Sequence, residues 1–232
     1  MDSDRLRELA QVPDPRLTGA NTGIYFNTNA PDVTEVLWIR HGHIPESGPN
    51  DDPHLTAIGM EQAEALGEYL AGQKPLSAIY CSPFLRCLET ASAIASRQAL
   101  EVEIKDELRE VEVYMPEGLT MRQHLGDEAW QAYADRMRTL RTWDARGALG
   151  ETTASVRQRS VAALEDAVRS HPGGRVALVS HGPVIVTYFA TLFASPYDLL
   201  FQPRLTSISV VWARGEDRRP GAINVLSHFG AL

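Results

Sequence analysis

The chain has 232 residues, 44% of them hydrophobic and 22% charged, with a net charge of −8 at pH 7. This is the size and make-up of one soluble domain with a sizeable core, and the acidic balance argues against a nucleic acid or a membrane surface as the main partner. No apolar run approaches the roughly 20 residues that span a bilayer, residues 1–16 lack the apolar stretch of a secretory signal, and the two cysteines, Cys81 and Cys87, are too few for a disulfide framework. The expectation is a cytoplasmic protein with two buried thiols.

In chain order, residues 1–31 read as an N-terminal extension with a short helix over residues 4–11, followed by an irregular stretch punctuated by Pro13, Pro15, Gly19, Gly23 and Pro31. Residues 33–40 read as the first strand, whose apolar run Val36-Leu37-Trp38-Ile39 stops at Arg40-His41-Gly42, as a buried strand of a parallel sheet does. A loop with Gly42, Pro45, Gly48, Pro49 and Pro53 leads to a helix over residues 55–71, with Thr56 as its N-cap and Gly72 as its end. Residues 78–81 are a short buried strand. Ser82-Pro83 then has the form of a helix start, an N-cap serine with proline at the first helical position, for a helix running to about Gln98. Val102 and Ile104 alternate within a strand over residues 101–105.

Residues 119–146 break this alternation. Trp130, Tyr133, Met137 and Leu140 recur at helical spacing, which predicts one or two helices packed over the sheet, with the stripe as core. Residues 115–146 are therefore expected to be a small helical cap inserted in a single domain spanning residues 1–232. An amphipathic helix over residues 153–171, a strand over residues 175–180 ending at Ser180-His181-Gly182, and a helix over residues 183–193 follow. Two C-terminal strands, over residues 206–213 and 222–227, are expected to be joined by the charged loop 214–221. The fold class is α/β, a mostly parallel central sheet with helices on both faces.

Ligands of open α/β sheets bind just outside the carboxyl ends of the strands. If the two strands that end in His-Gly are neighbours, His41 and His181 meet in one crevice beside Arg40. Arg86 lies in the first turn of a helix, where free N–H groups and the helix dipole already favour an anion. Two arginines and two histidines so arranged suit a tetrahedral dianion such as phosphate. Alternatives remain at this point. His41, His43 and His181 with Asp51 or Asp52 are a candidate metal set, and Cys81 to Arg86 has a loose likeness to a thiolate phosphate loop, although it lacks the glycines such a loop needs.

Five segments in order carry a resemblance to a known family. Leu37-Trp38-Ile39-Arg40-His41-Gly42 resembles the Arg-His-Gly signature of the histidine phosphatase superfamily, which includes the cofactor-dependent phosphoglycerate mutases. Leu55-Thr56 through Gly59 to Gln62-Ala63 resembles its Leu-Thr-x-x-Gly-x-x-Gln-Ala helix, and Ser82 through Arg86 to Thr90-Ala91 its Ser-x-x-x-Arg-x-x-x-Thr-Ala segment. Gly150-Glu151-Thr152 and Ser180-His181-Gly182 complete the set. The resemblance implies a phosphoglycerate mutase-like fold and a metal-independent phosphatase without cofactor, acting on a small phosphorylated metabolite.

It also implies roles: His41 as the nucleophile, Arg40, Arg86 and His181 as the phosphate clamp with Gly42 and His43 beside them, and Glu110 in Leu108-Arg109-Glu110 as the proton donor, with Glu107 and Glu112 as neighbouring candidates. The chain departs from many phosphatase members after Glu110, continuing Val111-Glu112-Val113 where they carry a Gly and a Trp-Glu-Gly, and His43 stands where a Glu or Gln is frequent. Residues 45–54 lack the Asn-rich run and Gly-Trp pair of the mutases, which favours a phosphatase over a phosphotransferase. A binding module without catalysis is the alternative of another class. A homodimer through aromatics near Trp212 is a further expectation. Arg122, Arg136, Arg138 and Arg141 of the cap are read mainly as a solvated helix face.

Overall fold

The computed structural model describes residues 26–47, 51–114, 116, 118–141 and 150–230. The helix expected over residues 4–11, most of the N-terminal extension and residues 115, 117 and 142–146 of the expected cap lie outside them. Six strands, β1 (Thr34–Arg40), β2 (Ala78–Cys81), β3 (Val102–Ile104), β4 (Arg175–Ser180), β5 (Ile208–Arg214) and β6 (Asp217–Pro220), form one sheet in the order β3-β2-β4-β1-β5-β6. β3, β2, β4 and β1 are parallel, β5 runs antiparallel to β1, and β6 antiparallel to β5.

Central strands are apolar on both sides because helices cover both faces. In β1, Val36 and Trp38 join one core with α5 (Thr153–Ser170) and α6 (Gly182–Leu192). Leu37 and Ile39, on the opposite face by the two-residue period, join the other with α1 (Ala57–Ala71) and α2 (Leu85–Ala95). All four side chains are fully buried, so truncating one, Leu37→Ala for instance, is expected to cost ~2–5 kcal/mol. Among the described residues no helix is long and apolar enough to cross a membrane.

Thr56 caps α1 as expected, its hydroxyl accepting the Gly59 N–H at 3.1 Å. Three other expectations need correction. Helix α2 begins at Leu85 rather than at Ser82-Pro83, with Phe84 at the N-cap and no side-chain cap; the Ser82 hydroxyl is engaged elsewhere, as described below. The C-terminal hairpin is tighter than expected. The charged stretch itself forms β6, turning at Gly215 (φ 53°), while residues 222–227 contribute only an isolated bridge, Val225 to Ile208. A polar edge strand is stable here because Arg218 forms a two-pronged ion pair with Glu165 of α5.

The third correction concerns the cap. Gly126, at φ 78°, separates α3 (Met121–Leu125) from α4 (Asp127–Leu140). Trp130, Tyr133 and Met137 are half-buried, and no described side chain of α4 is buried. The aromatic stripe is therefore not core; Trp130 and Tyr133 stack on each other, with ring centroids 5.5 Å apart. Cys81 and Cys87 are free and buried, as expected.

Candidate active site

Strand pairing creates the site. β1 and β4 are parallel neighbours with Arg40 opposite Ser180, and the His41 N–H donates to the Ser180 carbonyl at 3.1 Å. Both His-Gly pairs therefore leave the sheet at the same level. The imidazoles of His41 and His181 lie edge to face, with centroids 5.2 Å apart.

His41 is 3% exposed, and its Nδ1 lies 2.8 Å from the Gly42 carbonyl. A carbonyl only accepts, so Nδ1 carries the proton and Nε2 keeps its lone pair. Burial, reinforced by His181, holds the His41 pKa well below the usual imidazole value. The ring is thereby held neutral, with its Nε2 lone pair retained. Gly42 is required by close approach: a Cβ there would stand 2.7 Å from the Gly59 carbonyl oxygen, and one on Gly59 would stand 2.2 Å from the His43 carbonyl oxygen. The Gly42 N–H donates to Thr90 Oγ1 at 3.1 Å, and Thr90 Oγ1 donates to the Arg86 carbonyl at 2.7 Å. Three of the segments noted in the sequence thus interlock around His41.

Arg86 is 3% exposed and lies over the Phe84 ring at 4.5 Å. Its Nη1 donates to the Asp51 carbonyl at 3.2 Å, and its Nη2 is 3.9 Å from Glu110 Oε2. Arg40 donates from Nη1 to the Pro203 carbonyl at 2.7 Å. The Nε atoms of both arginines are buried and make no hydrogen bond among the described residues.

His181 is fully buried. Its Nδ1 lies 3.3 Å from Glu110 Oε2, which as an ionised carboxylate only accepts, so Nδ1 carries the proton. In the neutral ring Nε2 then accepts from the Ser82 hydroxyl at 2.8 Å, and that oxygen accepts the Phe84 N–H at 3.4 Å. The other carboxylate oxygen of Glu110 accepts the Val111 N–H at 2.8 Å. Burial alone would raise the Glu110 pKa, but His181, the Val111 N–H and Arg86 together hold it well below the usual carboxylate range. Burial lowers the His181 pKa, with Glu110 opposing.

A cavity of about 230 Å³ is lined by Arg40, His41, Arg86 and Glu110, with Ile44, Val111, Val113 and Pro183 as apolar wall and Ser47 and Asp51 at polar positions. Two larger cavities, about 480 and 530 Å³, also include Arg40 but neither His41 nor Arg86. His181, in contact with Glu110, is not itself in the lining of the smaller cavity, and neither is His43. The His43 N–H donates to Gln62 Oε1 at 2.9 Å and its Nδ1 lies 2.8 Å from Thr56 Oγ1, so it fastens the loop to α1.

Of the other candidate acids, Glu107 and Glu112 are also absent from the lining. No group of three or more His, Cys, Asp or Glu among the described residues is arranged to hold a metal, which removes the candidate set around His43. Burial raises the pKa values of Cys81 and Cys87, so neither offers a thiolate.

Arg159, which carried no expectation, is buried beneath the Glu110 loop and paired with Glu151. The signal available was an arginine on the apolar stripe of an amphipathic helix, three residues after Val156 and four before Ala163.

Comparison with known proteins agrees with this geometry. Residues 36–225 match the family model described as histidine phosphatase superfamily (branch 1). The chain is 29% identical over 211 residues to a metal-independent phosphoserine phosphatase of Arabidopsis thaliana, covering 87% of this chain and 85% of the relative. It is 32% identical over 187 residues to a glucosyl-3-phosphoglycerate phosphatase of Mycobacterium tuberculosis, covering 72% and 78%. Among solved structures, phosphoserine phosphatase from Entamoeba histolytica in complex with phosphoserine superposes with a TM-score of 0.68 at 25% identity, covering 84% of this chain and 98% of that one. The chain belongs to the histidine phosphatase superfamily, and its α/β fold is that of the phosphoglycerate mutase-like members.

Proposed function

We propose that this member of the histidine phosphatase superfamily hydrolyses phosphomonoesters of small metabolites in two displacements through a phosphohistidine at His41. The observation that carries the reading is the His41 ring. It is neutral, with Nδ1–H fixed on the Gly42 carbonyl and Nε2 free, in a cavity that also holds Arg86 and Glu110.

In the first step Nε2 of His41 attacks phosphorus, the bond from phosphorus to the ester oxygen breaks, and the departing alkoxide takes a proton from Glu110. Arg40, Arg86 and His181 hold the non-bridging oxygens and stabilise the charge that spreads over them. In the second step water gives a proton to the Glu110 carboxylate and attacks phosphorus. The phosphorus–nitrogen bond breaks, and phosphate leaves a neutral His41. One carboxyl serves both steps, as acid and then as base.

The free enzyme holds Glu110 ionised. An arriving phosphate dianion takes over its interactions with His181 and Arg86 and adds negative charge beside it, both of which raise the carboxyl pKa. The dianion thereby prepares its own proton donor. Ile44, Val111, Val113 and Pro183 offer apolar wall to the alcohol portion. The phosphatases of Arabidopsis and Mycobacterium named above act on phosphorylated metabolites, and the substrate here is expected in that class. The roles of Gly42 and His43 are to hold the nucleophile loop in place.

The test is release of free phosphate from a panel of phosphorylated metabolites, with and without a chelator, together with acid-quench trapping of the phosphoenzyme. Chelator-insensitive turnover and an acid-labile phosphohistidine are expected. Normal phosphate binding with no turnover and no trapped intermediate on any member of the panel would make the chain a binding module instead.

A further inference from the structure

The segment that carries Glu110 has no regular structure of its own after the short turn Asp106–Leu108. Its backbone carbonyls nevertheless all have side-chain donors. Arg159 Nη1 donates to the Glu107 carbonyl at 2.8 Å and to the Arg109 carbonyl at 2.6 Å, and Arg159 Nη2 to the Glu110 carbonyl at 3.3 Å. The remaining carbonyl, that of Leu108, accepts from Ser180 Oγ at 2.7 Å. Ser180 is the last residue of β4, immediately before His181. Four successive carbonyls are thus tied to α5 and to the strand that delivers the second histidine.

The Arg159 guanidinium is fully used. Its Nε and Nη2 also donate to the two carboxylate oxygens of Glu151, at 2.8 and 2.9 Å, so five N–H donors serve one carboxylate and three carbonyls. Glu151 is held in turn by Ser155 Oγ, at 2.7 Å, and accepts the Glu112 N–H at 3.4 Å. Both members of the pair are buried.

An ion pair needs only the bidentate part. The other three donors converge on the stretch whose last residue is Glu110, and the Glu110 side chain has its Oε1 fixed by the next N–H. What stays free to face Arg86 and His181 is Oε2.

We propose that Arg159, set by Glu151, is the positioning residue for the proton donor, fixing Glu110 Oε2 against the departing oxygen without touching substrate. This rests on the reading of Glu110 as proton donor. A lysine has three donors on a point charge and cannot reproduce a planar five-donor fork, so Arg159→Lys should loosen the loop while keeping the charge.

The experiment uses the full chain and the variants R159K, E151Q, E110Q and R159K/E110Q. Each is assayed on 4-nitrophenyl phosphate, whose leaving group needs no proton, and on glycerol phosphate, whose leaving group does. Folding is followed by circular dichroism and phosphate-site integrity by vanadate affinity. R159K is expected to lower kcat/KM on glycerol phosphate, which reports phosphoryl transfer to His41 and release of the alcohol, by about 10- to 100-fold, the loss that accompanies misplacement by about 1 Å. Its kcat/KM on the nitrophenyl ester and its vanadate affinity should stay within about threefold, whereas kcat on that ester falls to the extent that hydrolysis of the phosphohistidine, for which Glu110 is the base, limits turnover. E151Q, which keeps the shape of the partner, should fall between R159K and the parent. In the E110Q background R159K should add nothing further.

Equal losses of kcat/KM on both esters, no loss, or losses that multiply with E110Q would overturn the proposal while leaving Glu110 as the donor. If E110Q itself lowers kcat/KM on both esters equally, the donor reading fails and the proposal with it. Loss of fold in both R159K and E151Q also overturns it, because the pair would then be holding the domain rather than the acid.

Discussion

Glu110 Oε2 lies 3.3 Å from Nδ1 of His181, so the proposed proton donor rests, ionised, on one of the groups that would receive a phosphoryl oxygen. Binding of an anion must break this arrangement, and the proton balance of binding should record it. Phosphate binding followed by calorimetry in buffers of different ionisation enthalpy is expected to show proton uptake in excess of that shown by Glu110→Gln. The sign follows from a carboxyl pKa that is low in the free enzyme and rises when His181 and Arg86 turn to the ligand. Identical proton counts for the two proteins would contradict it.

Glu110→Gln should also separate leaving groups. Loss of a general acid costs roughly 10²- to 10⁴-fold where the departing alkoxide must be protonated, and much less where it leaves as nitrophenolate. The dependence of kcat/KM on leaving group across a series of aryl and alkyl phosphates measures this, because it excludes the later hydrolysis step in which Glu110 is the base. A uniform loss would point to Glu107 or Glu112 in its place.

Replacing His41 by Ala removes the only free imidazole lone pair in the described cavity lining. Turnover should fall at least ~10³-fold, as for loss of a covalent nucleophile, with no acid-labile phosphoenzyme and an unchanged circular dichroism spectrum. Substantial residual activity with trapped phosphoenzyme would place the nucleophile elsewhere.

Acid should unfold this protein partly through its active site. The pKa values of His41 and His181 are depressed in the fold, chiefly by burial, below the usual 6.5. Below about pH 6.5 the unfolded chain therefore binds more protons than the folded one at these positions. Their contribution to stability is fully present above that pH and is lost as the pH falls. The depressed pKa of Glu110 adds a second loss through the carboxylate range. Urea midpoints should be level between about pH 7 and 8 and drop toward pH 5. His41→Asn should reduce the drop; an identical slope in parent and variant would exclude His41 as a contributor.

The two facing glycines give a stability test that needs no substrate. Gly42→Ala places a Cβ 2.7 Å from the Gly59 carbonyl oxygen, and Gly59→Ala places one 2.2 Å from that of His43; both obstacles are backbone. Each is expected to cost ~1–3 kcal/mol or more in urea titration, as overpacking does. Gly72→Ala, whose nearest neighbouring atom would be at 3.6 Å, is the control and should be mild.

Much of the frame was legible because its signals are local. β1 and β4 are built on the apolar runs Val36–Ile39 and Val176–Val179, and Thr56 stands at the head of α1 and caps it. What the sequence concealed is decided at long range. Ser82-Pro83 has the grammar of a helix start, but His181, 99 residues on, takes the hydroxyl. β6 reads as a charged loop because nothing in Asp217–Pro220 shows that Glu165 will receive Arg218. The spacing of Trp130, Tyr133 and Met137 is helical, as expected, but periodicity identifies a face and not how deeply it is covered. His41, Arg86, His181 and Glu110 could be named from motifs. That His43 turns to Thr56, and that Arg159 lies under Glu110, depend on which loop carbonyls and hydroxyls come within reach.

The register that sets Arg40 opposite Ser180 fixes the separation of the two histidines by a ladder of backbone hydrogen bonds. Backbone ladders are insensitive to which side chains decorate the rim. Several residues of the cavity wall, Ile44, Ser47, Asp51 and Val113, lie between the elements of this frame and not in its strands. Cavity wall and catalytic frame are therefore carried by different parts of the chain. Drift in the rim can retune substrate choice while the displacement at phosphorus is left intact, and grafting rim segments from a relative should transfer preference without rebuilding the catalyst.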